Sequence, residues 1–204
     1  MLLEHRGKRP QIHPSVYIAP NATLSGDVTI GENSHVLFGA VITADGGPVV
    51  IGTHCVVMEN AVLRGTPRHS LKIGDNVLIG PRAYLSGCTV DENAFLATGV
   101  AIFNGAHIQT RAEVRINGVV HINTVVLPDT TVPIGWVAVG DPAQLFPPDK
   151  HEEIWAIQEK LDFPGTVFGL ARVEAGESIM PEMMRRYTRA LGKHLEDRLL
   201  DESS

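Results

Sequence analysis

Nine histidines and two cysteines are the side chains of this 204-residue chain best suited to chemistry. His35, His54, His69, His107 and His121 fall in a long body rich in Gly, Val and Ile. A neutral imidazole can act as a general base or a metal ligand near neutral pH. The spacing of these five builds no convergent cluster. His69 lies in a stretch that breaks the surrounding pattern just after Arg64, and His121 follows an aliphatic position, Val120. These two are the candidate bases. Cys55 and Cys88 occupy positions otherwise held by small residues and read as core packing, not as nucleophiles.

The residues that must position these groups form a repeat. Aliphatic side chains recur every sixth residue: Ile12, Ile18, Leu24, Ile30, Val36 and Ile42, then Ile51, Val57 and Leu63, then Ile73, Ile79 and Leu85, then Val90, Leu96, Ile102, Ile108, Val114, Val120 and Val126. A small residue often follows four positions later, as at Ala22, Ala40, Ala61, Ala83, Ala94, Ala106 and Ala112. A period of six suits neither an amphipathic helix nor a hairpin sheet. It predicts a solenoid of very short strands over about residues 11–140, with anchors inward and Gly, Asn and Asp at the corners. Such a core needs few aromatics, in keeping with the 5% present. Residues 43–50 and 66–72 exceed the repeat and are expected to leave it as loops, where function commonly sits. His121 occupies the same repeat position as Arg64 and Ser86.

Residues 147–204 carry half of the charged side chains in little more than a quarter of the length. They read as a helical tail. Asp149 and Glu152 have capping-box spacing ahead of Ile154, Ile157 and Leu161. Pro164-Gly165 ends that helix. A second begins near Pro181, with Met184, Tyr187, Leu191, Leu195 and Leu199 as its apolar stripe. The division is therefore an N-terminal arm (1–10), the repeat body (11–146) and the tail (147–204). A net charge of −6 disfavours nucleic acid. The absence of a long apolar run disfavours a membrane span, and two cysteines are too few for a disulfide framework, so a cytoplasmic location is expected.

The hexapeptide pattern, the run from Ile73 to Cys88 and the motif Val139-Gly-Asp-Pro-Ala143 resemble the γ-class carbonic anhydrase-like proteins of the hexapeptide-repeat (acyl)transferase superfamily. The resemblance spans roughly residues 11–146. It implies an all-β solenoid, a left-handed parallel β-helix with three strands per coil, followed by the helical tail. It also implies a homotrimer with active sites between subunits, each holding zinc on three histidines. The positions matching those histidines here are Arg64, Pro81 and Ser86. Met58 and Glu59 replace a supporting Gln and Asp, and Phe38-Gly-Ala40 replaces an Arg-Gly-Asp that aids subunit pairing. No zinc is expected at this set, because Arg is permanently cationic and Pro has no donor.

Arg64, Glu59, Arg82 and Ser86 become candidates to line a cationic cleft for a small anion or carboxylate, and Arg64 with Glu59 could equally form an interfacial salt bridge. Three functions remain open. One is a trimeric scaffold or small-ligand-binding protein, with an anion or a protein as partner. The second is an acyl-CoA-dependent acyltransferase with His69 or His121 as base. The third is a carbonic anhydrase with relocated metal ligands.

Overall fold

The computed structural model describes residues 1–174 and 176–200; Ala175 and 201–204, part of the expected tail, lie outside them. The body is a parallel β-solenoid with three faces. Strands two to four residues long stack into one ten-stranded and two seven-stranded sheets. Each strand pairs with the one a full coil away, as in Leu63↔Leu85, Leu85↔Ile102 and Ile102↔Val120. The backbone bonds of these short strands are thus satisfied along the solenoid axis.

The six-residue period is the geometry of the coil itself. Of the 19 anchors, all are fully buried except Ile12 and Ile18, which pack partly buried against the same core. The alanines named at the small positions are buried as well. The series runs further than the sequence pattern suggested, to Val132 and Ala138, so one face carries eight parallel rungs. Corners are made by residues in the left-handed region, including Asn33, Asn60, Asn76, Asn93, Asn117 and Asn123. Gly105, at φ +75°, faces Asn123 one coil on so closely that a Cβ would collide with its side chain.

At both ends of the ten-stranded face the outermost strand is antiparallel, in place of a further parallel rung. Gln144–Phe146 folds back on Val137–Val139. At the other end, Leu2–Glu4 adds a parallel rung beside Thr23–Ser25, and Arg198–Leu199 pairs antiparallel with it. The first ten residues therefore contribute a rung to the solenoid.

The tail travels back along this same face. Helix α1 (His151–Gln158) packs on Val137–Val139 and buries Ile154. Short turns at Glu159–Leu161 and Pro164–Phe168 follow, then α2 (Met180–Leu191), a 3₁₀ turn (Gly192–Glu196) and the strand Arg198–Leu199. Two local expectations fail. Helix α1 starts after Lys150 with no side-chain cap, so the Asp149–Glu152 box does not form. The expected apolar stripe is also displaced. Leu195 and Leu199 fall beyond the helix, at 91% and 63% exposure, and Met183, not Met184, faces inward with Tyr187. The inserts are shorter loops than expected, because Val41–Ala44 and Val49–Ile51 extend the strands around 45–48, and Val62–Gly65 and Leu71–Ile73 do so around 66–70.

Candidate functional site

The residue after each anchor on the ten-stranded face points outward, toward the tail. The register aligns Thr43, Arg64 and Ser86 on successive rungs, with Phe103 and His121 continuing the row. Where α2 crosses this row it leaves a cleft of about 320 Å³. Arg64 and Ser86 form its floor, the two inserted loops supply Asp45 and Arg68, and the tail supplies Arg186 and Tyr187. Apolar walls come from Tyr84, Phe103, Phe163, Phe168 and Leu170.

Arg64 is held firmly. Its Nη2 donates to Asp45 Oδ2 at 2.5 Å and to the Tyr187 hydroxyl at 3.2 Å, and its Nε reaches the same carboxylate oxygen at 3.2 Å. Burial alone would favour the neutral guanidine. The hydrogen bonds that Arg64 donates to Asp45 and Tyr187 outweigh it and hold Arg64 charged, its pKa above the usual range. Ser86, 4% exposed, donates to Asn104 Oδ1 at 3.4 Å, and Asn104 Nδ2 donates to Thr66 Oγ1 at 3.1 Å.

Of the four cleft candidates, the fold brings together Arg64 and Ser86. Glu59 and Arg82 sit at a solenoid corner, where the Arg82 N–H donates to the Glu59 carbonyl at 2.9 Å and Arg82 adopts φ +57°. Neither lines the cleft, and the carboxylate partner of Arg64 is Asp45.

His69 and His121 do not meet Arg64. His69, on the second loop, packs against Gly87, and burial together with Arg68 lowers its pKa. His121 opens on a second cavity lined by Trp155, Phe163 and Arg172, and burial lowers its pKa as well. Each keeps a buried Nδ1 with no hydrogen-bond partner. Cys55 and Cys88 are buried free thiols, as their repeat positions suggested.

Asp45, Arg68, Arg186, Tyr187 and His194 were not found from sequence. Asp45 had one usable signal, since it lies in the insert two residues past Thr43, the register partner of Arg64. The tail residues had none, because nothing in their spacing says where α2 docks.

Two family profiles match parts of the chain. Bacterial transferase hexapeptide (six repeats) covers residues 9–44, and Hexapeptide repeat of succinyl-transferase covers 70–104. Mitochondrial gamma carbonic anhydrase 1 of Arabidopsis thaliana is 29% identical over 91% of this chain and 66% of its own. A carbonic anhydrase of Geobacillus kaustophilus is 37% identical over 53% of this chain and 59% of its own. The chain thus spans about two thirds or less of the length of these relatives. A solved structure of a candidate acetyltransferase from Bacillus cereus superposes with a TM-score of 0.51 at 26% identity, over 77% of this chain and 90% of that one. The solenoid is the left-handed hexapeptide-repeat β-helix that these relatives imply.

Proposed function

We propose that this chain, a γ-carbonic anhydrase-like hexapeptide-repeat protein, uses the cleft beneath its tail to bind a small organic anion with an apolar body. The observation that carries the reading is the lining. Three arginines and one carboxylate share a cleft whose remaining walls are mostly aromatic and aliphatic. Asp45 neutralises Arg64, and Glu182 pairs with Arg186 at 2.6 Å, which leaves Arg68, bonded to the Gly165 carbonyl, as the lining arginine without a carboxylate partner among the described residues. A volume near 320 Å³ suits a ligand at the small end of the usual range of roughly 300–1,000 Å³. Arg suits a carboxylate or phosphate because its planar fork gives paired hydrogen bonds.

Zinc does not fit the positions that match the family's ligands. Arg64 is a fixed cation already bonded to Asp45, Pro81 offers no side-chain donor, and the Ser86 hydroxyl is spent on Asn104. Hydration of carbon dioxide needs a metal that lowers the pKa of bound water to about 7. This cleft is therefore read as a binding site without that chemistry.

A homotrimer is part of the proposal. Tyr17, Phe38 and Phe95 are exposed at 42%, 50% and 36%, on or beside a face that the tail leaves open, which supports a subunit contact there. Sedimentation at micromolar concentration is expected to give a trimer, and a stable monomer would remove this part of the reading. A cytoplasmic location rests on the two unpaired thiols. Among the described residues no helix is long and apolar enough to cross a membrane.

The test is a thermal-shift panel of short-chain and aromatic carboxylates beside their neutral amides. A rise in midpoint with the acids alone is expected, and equal effects from acids and amides would contradict it. A second reading, acyl transfer from acyl-CoA, draws on the likeness to the candidate acetyltransferase, with His121 or His69 as base. Calorimetry with acetyl-CoA separates the two, because the first reading expects no heat at millimolar ligand.

A further inference from the structure

The first rung and the end of the described tail meet beside the cleft in a cluster of which His194 alone also lines the cleft. We propose that His5, His194 and Asp197 bind a divalent transition-metal ion, with Zn²⁺, Co²⁺ and Ni²⁺ as the suited class. One donor atom from each lies within 4.8 Å of the others, and no other such group of His, Cys, Asp or Glu occurs among the described residues. His5 Nδ1 is 2.5 Å from Asp197 Oδ1, and His194 Nδ1 is 2.9 Å from Asp197 Oδ2. Two imidazole nitrogens and a carboxylate form a facial set that leaves further positions for water or ligand.

The surroundings fit an ion as well. His5 is 3% exposed, on the turn that follows Leu2–Glu4. Asp197 is 13% exposed. The other ring nitrogen of His194, Nε2, faces Asp45 Oδ1 at 3.5 Å. A carboxylate behind a ligating imidazole fixes the ring and raises its basicity, the usual support for a metal ligand. Asp45 in turn holds Arg64, so the ion would sit three contacts from the cleft floor, through His194 and Asp45 to Arg64.

One adjustment is required. The two rings are stacked, with centroids 4.3 Å apart and planes at 24°, and they must splay for both Nδ1 atoms to aim at one ion. His194 can make that move, because its side chain is 33% exposed and lies on a short 3₁₀ turn, while buried His5 stays fixed. The ion would then join the first rung to the end of the tail, where Arg198–Leu199 already pairs with Leu3 and Glu4.

The test uses the untagged full chain stripped of metal. Titration with Co²⁺, read by visible absorption, and then competition by Zn²⁺ are expected to show one ion per chain at micromolar affinity. His194→Ala and Asp197→Asn are expected to weaken binding by at least about 100-fold, and Asp45→Asn by about 10–100-fold. His107→Ala, which alters a histidine paired with Asp91 on another face, is expected to change nothing. A measurement on the unaltered chain stands beside these. Zn²⁺ is expected to protect His194 from diethyl pyrocarbonate, read by peptide mass. No binding at 100 µM metal, binding that survives His194→Ala, or no protection of His194 would overturn the proposal and leave a hydrogen-bonded cluster only. Anion binding in the cleft is measured separately, so either idea can fail without the other.

Discussion

Arg64 and Asp45 lie 2.5 Å apart across neighbouring coils, one on a solenoid rung and the other on the loop that interrupts the rung before it. Their side chains are 25% and 14% exposed, so the pair is partly desolvated. Removing one partner leaves a charge that water reaches poorly. Asp45→Ala is expected to destabilise the fold by about 1–3 kcal/mol, and Arg64→Met by less, because Met restores apolar packing. A double-mutant cycle in urea is expected to give a coupling of about 1 kcal/mol or more. Strict additivity would mean that the pair contributes nothing.

Stability is expected to fall on mild acidification. His121 and His69 both have pKa values held below the ordinary histidine value, by burial first and, for His69, by Arg68 second. Below about pH 6.5 the unfolded chain takes up protons at these sites while the fold still resists them. Their contribution is complete above that pH and is lost as pH falls through the folded values. His121→Gln is expected to flatten the change in urea midpoint between pH 7 and pH 5. An unchanged slope would show that His121 is not responsible.

Both thiols are expected to be inert in the native state. Burial pushes Cys88 up to about 12 and raises Cys55, whose Sγ also donates to the Gly74 carbonyl at 3.0 Å. The reactive species is the thiolate, so a disulfide reagent at pH 8 should titrate neither cysteine until the chain is unfolded, and then both. Fast labelling of the folded protein would contradict the packing described here.

The aliphatic columns make the core unforgiving. Leu63 is fully buried, and Leu63→Ala is expected to cost about 2–5 kcal/mol. Ile79→Asp places a carboxylate in the same kind of column and is expected to abolish folding, seen as loss of the β signal in circular dichroism. A folded Ile79→Asp protein would mean that the column at Ile79 tolerates a charge.

The solenoid was legible because each inward side chain and each bend belongs to one short coil, so period and structure coincide from Leu24 to Val126. The cleft was half legible. Arg64 and Ser86 are set by that period, and they do share a floor. Glu59 and Arg82 have the right sequence neighbours but belong to the corner, where a left-handed residue turns the chain away from the tail. Asp45 lies in an insert that no period governs. Tyr187, Arg186 and His194 depend on where α2 docks, and that is decided by tertiary packing. The capping box failed for a similar reason, since the chain from Pro147 to Lys150 is occupied by its own turn, with the Lys150 N–H bonded to the Pro147 carbonyl.

The cleft is expected to take a carboxylate with an apolar body, held first by Arg68, the lining arginine without a carboxylate partner among the described residues. The most direct measurement is titration calorimetry with benzoate and benzamide, which share a shape and differ in charge. Benzoate is expected to bind at about 1 mM or tighter, near −4 kcal/mol, and benzamide at least tenfold more weakly. Arg68→Ala, which removes that lining arginine, is expected to weaken benzoate by about tenfold and leave benzamide unchanged. Absence of benzoate binding at 10 mM, or equal affinity for both compounds, would contradict the account.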